Sequence, residues 1–339
     1  MKRSIASVLR SQSTTLVAII VVGTVLLGIA SSGNFFSPIP FRTFFQFLAV
    51  PILIGLAQMI TVAVGQLNLA VGAIGGVAAA LSAVMMADAG VPVWLGAVVP
   101  LVVGTLAGLV NGWLVVLTRI NGFIVTLATM TILLGAQYAL VSTRTVSAAN
   151  WAPLADIGKA TVFGLPVIFL VSVVVAILVA LAFRYTVTGR SLLASGDNPE
   201  AARLAGISND RSVIVAHAAS GLLCGVAALV SIASLPGINQ SVGGDWLLPS
   251  FAAPIIGGVA LTGGSVAVLG TVLAATVVRL VDTARAEFQL APAWVNFVIG
   301  AVVLGTVALG RVRQVRQERR LGAERAREAS STAILEKTR

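Results

Sequence analysis

Along this chain apolar residues collect into blocks that are nearly free of charge, and polar residues gather in the stretches between them. A membrane-spanning helix needs ~20 predominantly apolar residues. By that measure ten segments stand out, at 14–30, 44–64, 69–86, 93–117, 123–141, 162–183, 212–234, 251–262, 266–281 and 295–309. The third, eighth and ninth are short or interrupted by glycine. The pattern predicts an all-α polytopic membrane protein with about ten transmembrane helices over residues 1–310. A basic tail over 311–339 reads as disordered and cytosolic. The first block follows a basic start and resembles a signal peptide, but it is nearly a full span and has no small-residue cleavage site close behind it, so it reads as a retained helix.

Composition reinforces the pattern. Charged residues are 10% of the chain and the apolar set 58%, with a mean hydropathy of +1.01. A soluble fold of this length could not hide so much apolar surface, so lipid must solvate part of it. The 34 glycines predict close helix–helix packing, since small residues let backbones approach where no hydrophobic drive exists between helices.

The net charge of +10 raises nucleic-acid binding only to exclude it, because the charges flank spans. Lys2, Arg3 and Arg10 precede the first block, and nine basic against four acidic residues fill 311–339. With the amino terminus inside, ten spans place Arg119, the 184–211 loop and the tail in the cytoplasm, with Asp88 and Asp245 outside, as the positive-inside rule requires. Arg42, Arg144 and Lys159 fall outside as exceptions, partly offset by Asp156. Both termini are expected to be cytoplasmic.

Two glycine-broken segments share a texture. Gly65-Gln66-Leu67-Asn68-Leu69-Ala70-Val71-Gly72 lies in the first half of the chain, and Gly257-Gly258-Val259-Ala260-Leu261-Thr262-Gly263-Gly264 in the second. Paired interruptions of this kind point to an internal repeat of two halves, with broken helices lining a transport path.

The longest charged interior segment, 184–211, contains Asp197-Asn198-Pro199-Glu200-Ala201-Ala202-Arg203-Leu204-Ala205-Gly206-Ile207. It predicts a short helix. Asn198 or Asp197 caps it, Pro199 suits its first position, and Glu200 sits favourably in the first turn, within i+3 reach of Arg203. Gly206 supplies the left-handed stop. About seven residues make only ~10 Å of helix, too little to be stable alone in water, so this helix is expected to dock against something.

Glu200-Ala201-Ala202 followed by Gly206 resembles the coupling-loop motif of ABC importer permeases. Over most of its length the chain resembles the ribose-type sugar permeases of bacterial ABC importers, through Gly65…Leu69-Ala70-Val71-Gly72, Asn111-Gly112, Phe123-Ile124-Val125-Thr126-Leu127, Gly189-Arg190 to Gly206-Ile207, Ala252-Ala253…Ile256-Gly257-Gly258 and Leu261-Thr262-Gly263-Gly264…Gly270-Thr271. The resemblance implies a bacterial inner-membrane subunit that pairs with a second permease copy, two cytosolic ATPase subunits and an extracytoplasmic sugar-binding protein. It implies that Asn198, Pro199, Glu200, Ala201, Ala202, Arg203 and Gly206 form the ATPase-coupling site. The chain departs from the family where Gly-Ile-Asp-Leu-Ser-Val-Gly is usual, having Gln66-Leu67-Asn68-Leu69-Ala70-Val71-Gly72. Trp246-Leu247 stands where an aromatic and an acid usually precede Ala252-Ala253, and the family's Asn-Gly is missing near Asp282-Thr283. The cargo is therefore expected to be a monosaccharide or related polyol, not necessarily ribose.

Chemistry of other kinds is not signalled. No phosphate-binding Gly-x-x-x-x-Gly-Lys-Ser/Thr loop appears, so ATP is expected on a partner and no cofactor on this chain. Leu261-Thr262-Gly263-Gly264-Ser265 imitates an ATPase signature loop by coincidence. No nucleophile elbow or metal-binding helix is present, and His217 and Cys224 lie about two helical turns apart, so no catalytic residue and no metal site is expected. Polar residues within the blocks are few: Gln46, Gln58, Gln66, Asn68, Asn111, Thr126, Gln137 and Asn296. The expected translocation pathway is Gln66, Asn68, Gly72, Asn111, Thr126, Gly257 and Gly258. An ion-coupled carrier is the alternative, but such carriers need ionisable groups within the membrane, and Arg279 and Asp282, the nearest to qualify, read as interfacial.

Overall fold

The computed structural model describes residues 12–289 together with 291, 293–294, 297–298, 300–301 and 304–305. Much of the expected tenth span (with Asn296), the 311–339 tail and the basic start at Lys2, Arg3 and Arg10 lie outside the described residues.

Among the described residues twelve α-helices run in order: α1 Gln12–Ala30, α2 Pro38–Ala63, α3 Val71–Ala87, α4 Val93–Thr118, α5 Gly122–Val141, α6 Ala152–Lys159, α7 Val167–Tyr185, α8 Val187–Asp197, α9 Pro199–Leu204, α10 Asn209–Ser234, α11 Leu247–Ile256 and α12 Val268–Glu287. Among the described residues six of them, α1, α2, α4, α5, α7 and α10, are long and apolar enough to cross a membrane. The protein is a helical, polytopic membrane protein.

Helix α2 is the central element, buried almost continuously from Leu48 to Ala63, and it packs on α7, α10, α11 and α12. Glycine spacing explains the tightest contact, between α4 and α10. A methyl group at Gly104 would come within 2.3 Å of the Gly221 carbonyl oxygen, one at Gly108 within 2.2 Å of the His217 oxygen, and one at Gly225 within 2.3 Å of the Pro100 oxygen. Only small residues at i, i+4 spacing allow two backbones this close.

Some boundaries differ from those the apolar blocks predict. The block at 162–183 begins as a strand pair, β2 Thr161–Val162 with β3 Leu165–Pro166, because Phe163 and Gly164 turn the chain at positive φ; α7 starts only at Val167. The block at 251–262 yields α11, which stops at Gly257 after ten residues. That is about 15 Å of helix, half a bilayer core. Conversely α12 runs past the end of the apolar block, through Asp282 and Arg285 to Glu287. The all-α architecture carries one further antiparallel pair, β1 Val146–Ser147 with β4 Gly237–Ile238, in which Val146 opposes Ile238.

The elements define two faces. At one, here the loop face, lie the end of α2, the start of α3, the α4–α5 turn, α8, α9 and the start of α10. Arg119 there pairs with Asp210 at 2.8 Å. At the opposite face lie the start of α2, the end of α3, the end of α10 and the strand pairs. Arg144 there donates to Asp88, and that hydrogen bond holds the Asp88 carboxyl below its ordinary pKa.

Candidate functional site

The loop 184–211 folds as two helices set on the loop face. Thr186 Oγ1 caps α8 by accepting from the Gly189 N–H at 3.0 Å. The Asn198 side chain, rather than that of Asp197, caps α9 by accepting from the Ala201 N–H at 3.0 Å, with Pro199 at the first helical position. At the far end Gly206 adopts φ +79, and the Ile207 N–H donates to the Ala202 carbonyl at 2.9 Å, closing the helix with a left-handed stop. The Glu200–Arg203 ion pair that the i+3 spacing allows does not form. Both side chains are exposed, where such a pair contributes little against the entropy of holding two long side chains.

Two residues that the motif does not contain fix this helix. Ser195 Oγ donates to Asn209 Oδ1 at 2.8 Å, and Asn209 Nδ2 donates to the Pro199 carbonyl at 2.8 Å, so one amide links α8, α9 and α10. Ala202 is buried against them, while Glu200, Ala201, Arg203 and Leu204 face outward. Leu204 is 87% exposed, a large apolar side chain at the tip of a charged loop.

The base of the loop is wedged into the core. A methyl at Gly196 would fall 1.9 Å from the Ala63 carbonyl oxygen and 2.7 Å from the Gly264 nitrogen, and one at Gly264 would fall 2.7 Å from Asp197 Cα. The Gly264 N–H donates to the Ala63 carbonyl at 2.9 Å. The end of α8, the end of α2 and the turn between α11 and α12 therefore meet backbone to backbone. This joins both glycine-broken segments to the 184–211 loop at one point. Gly196 stands alone in sequence, so no periodicity marks it.

The residues expected along the pathway take varied positions. Asn68, Asn111 and Thr126 are fully buried and Gln66 is half-buried. Asn68 Nδ2 donates to Ser220 Oγ at 3.1 Å while its Oδ1 accepts from the Ala70 N–H at 3.0 Å. Thr126 Oγ1 accepts from the Leu69 N–H at 3.1 Å and donates toward the Gly122 carbonyl at 2.7 Å. Asn111 Nδ2 has no hydrogen-bond partner among the described residues. Gly72 packs against the Gly243 carbonyl, and Gly257 against Gly270 and Thr271; Gly258 turns the chain at φ +97. Asn68 and Thr126 meet at the first break, Gly257 and Gly258 lie at the second, and Asn111 stands apart on α4.

A family model described as "Branched-chain amino acid transport system / permease component" matches residues 39–307. The chain is 30% identical to the fructose import permease protein FrcC of Rhizobium meliloti, over 88% of this chain and 85% of that protein. It is 29% identical to the fructose import permease protein FruG of Bifidobacterium longum, over 89% and 92%. It is 28% identical to the autoinducer 2 import system permease protein LsrC of Yersinia pestis, over 89% and 85%. No solved structure matches.

Proposed function

The chain belongs to the branched-chain amino acid transport system / permease component family, and on that premise we propose that it is the membrane subunit of an ATP-driven importer for a monosaccharide or related polyol. The cargo class is supported by relatives named for fructose and autoinducer 2 import. Within this reading a second permease copy, two cytosolic ATPase subunits and an extracytoplasmic binding protein complete the machine, and ATP binds only to the ATPases. The loop face is cytoplasmic and both termini lie on that side of the bacterial inner membrane. Ten crossings, with the two broken segments as equivalents in an internal repeat, remain the proposed topology.

One observation carries the proposal. Helix α9 presents Glu200, Ala201, Arg203 and Leu204 outward, while the end of α8 directly before it is wedged through Gly196 against Ala63 and Gly264. A push on α9 by an ATPase would thus reach both broken segments through backbone contacts with no room to yield.

The test is reconstitution with the partner ATPase and binding protein. Glu200→Ala and Gly206→Pro are expected to abolish ATPase pull-down and to lower ATP-driven uptake at least about tenfold, the effect of ~1.4 kcal/mol lost at the contact. Pairing and uptake unchanged in both variants would refute the coupling assignment. Uptake that persists without ATP but follows a proton gradient would point instead to an ion-coupled carrier.

A further inference from the structure

In so charge-poor a chain, a cluster of four ionised groups around one cavity is out of character. A cavity of about 430 Å³ lies toward the opposite face, between α2, α10, α11 and α12. Its wall carries Gln46, Asp245, Trp246, Arg279, Asp282 and Arg285. Phe47, on the same wall, lies sixteen residues before Ala63, roughly 24 Å along α2 from the coupling junction. The volume falls in the ~300–1,000 Å³ range of small-molecule sites.

The four charges are arranged, not scattered. Arg279 Nη1 donates to Asp282 Oδ2 at 2.5 Å and Arg285 Nε donates to Asp282 Oδ1 at 3.2 Å. The Arg279 guanidinium lies over the Phe47 ring, 5.2 Å from its centroid, and its Nε has no hydrogen-bond partner among the described residues. Asp245 enters from the loop before α11. Its carboxyl keeps solvent contact while protein crowds it, and that crowding, with Asp282 nearby, raises its pKa. The Arg279 side chain is only 14% exposed, and holding a guanidinium so far from water is unfavourable as structure alone, since apolar residues of similar volume often serve a fold as well. Ionisable groups within a membrane protein's interior more often mark a path for solute.

We propose that this cavity is a binding site, within the permease itself, for a neutral polyhydroxylated solute. The two carboxylates and two guanidinium groups balance, so an ion of either sign would meet a like charge beside its partner. A sugar or polyol carries hydroxyls that donate and accept, and each finds a match: carboxylate oxygens and the Gln46 carbonyl accept, while guanidinium N–H groups donate. Asp282 retains acceptor capacity after its two arginine bonds, because a carboxylate offers about four lone-pair sites. Trp246 adds an apolar wall for the carbon face of a sugar. The assignment rests on the importer reading for its direction, since the cavity lies at the face away from the coupling loop, where delivered cargo would enter.

The test uses the full chain in lipid nanodiscs. The native thiol of Cys224 is buried and stays silent, so Ser241→Cys at the cavity wall reports access by its rate of labelling with a neutral, water-soluble thiol reagent. The rate is read with fructose, ribose, glucose and myo-inositol, and with glutamate and choline as charged controls. At least one neutral polyol is expected to slow labelling about tenfold near saturation, and Asp282→Asn or Asp245→Asn to remove that protection. Equal rates with all four polyols overturn the site, as does protection undiminished in both variants. Protection by a charged control as strong as by any polyol overturns the ligand class. ATPase pull-down on the same nanodiscs reads the other face. Lost pairing in the unaltered chain with polyol protection intact would remove the importer reading and leave the cavity, and the reverse result would do the opposite.

Discussion

The two broken segments meet at one junction but are built differently. Between α2 and α3 the turn is tied by side chains. In the amide orientation that satisfies both groups, Gln58 donates to the Asn68 carbonyl at 2.8 Å and accepts from the Asn68 N–H at 3.2 Å. Asn68 in turn holds Ala70 and Ser220, and Thr126 holds Leu69. Between α11 and α12 the turn is shaped chiefly by glycine, with Gly258, Gly263 and Gly264 at φ +97, +94 and +73, and Ser265 Oγ accepting from the Ala260 N–H at 3.1 Å. Interrupted helices deep in a membrane protein must have their freed backbone groups satisfied by neighbours. The first break meets that demand with buried polar side chains. The second lies partly exposed and depends on backbone freedom, so under the proposed importer function it is the one expected to move.

The largest effect is expected where the two breaks and the loop converge. Gly196→Ala puts a methyl 1.9 Å from the Ala63 carbonyl oxygen, and backbone on both sides cannot retreat as a flexible side chain would. A destabilisation of about 3 kcal/mol is expected from such overpacking, read as a lower melting temperature in detergent. Gly264→Ala adds a positive φ to a contact at 2.7 Å and should be at least as severe. An unchanged melting temperature in either variant would mean that the three segments are not wedged together.

Next comes the fixed break. Asn68→Ala strips the Ala70 N–H and the Ser220 hydroxyl of their partner in a fully buried place, for an expected loss of about 2 kcal/mol. Asn68→Asp keeps an acceptor for Ala70 and lets Ser220 donate in its turn, so it should recover part of that loss unless the buried charge outweighs it. Equal melting temperatures for Asn68→Ala and the unaltered chain would remove the contrast between the breaks.

How much of this could be read from sequence depended on whether the determinant was local. The bounds of α9 follow from Asn198, Pro199 and Gly206, because capping and left-handed termination act over a few residues. Both breaks announce themselves through glycine. Ser220, the partner of Asn68, lies 152 residues away, and nothing in an apolar helix marks one serine as bonded and another as idle. Arg279 and Asp282 look interfacial in sequence because they stand at the end of an apolar block. Only the packing of α12 along α2 shows that they turn inward, to meet Gln46 and Asp245 from distant segments. Gly196 is the same kind of case, since its importance is a clash that exists only once α2 and the α11–α12 turn stand beside it. The strand pair β1–β4 escaped because two residues on each side carry no period to read.

The smallest effect is the sharpest comparison, because it matches one bond against its counterpart. Thr126→Val and Ser265→Ala each remove a hydroxyl that accepts from one loop amide, the Leu69 N–H in the first break and the Ala260 N–H in the second. Thr126 is fully buried and Leu69 is buried, so that amide is left with nothing to bond, and about 1–2 kcal/mol is expected to be lost. Ala260 is exposed and Ser265 half-exposed, so water can replace the lost hydroxyl, and a change of no more than about 0.5 kcal/mol is expected. Hydrogen exchange separates the two further: the Leu69 amide should be protected in the unaltered chain and the Ala260 amide should exchange readily. Comparable losses in the two variants would make both breaks equally fixed, and the movable element would then have to be sought away from the α11–α12 turn.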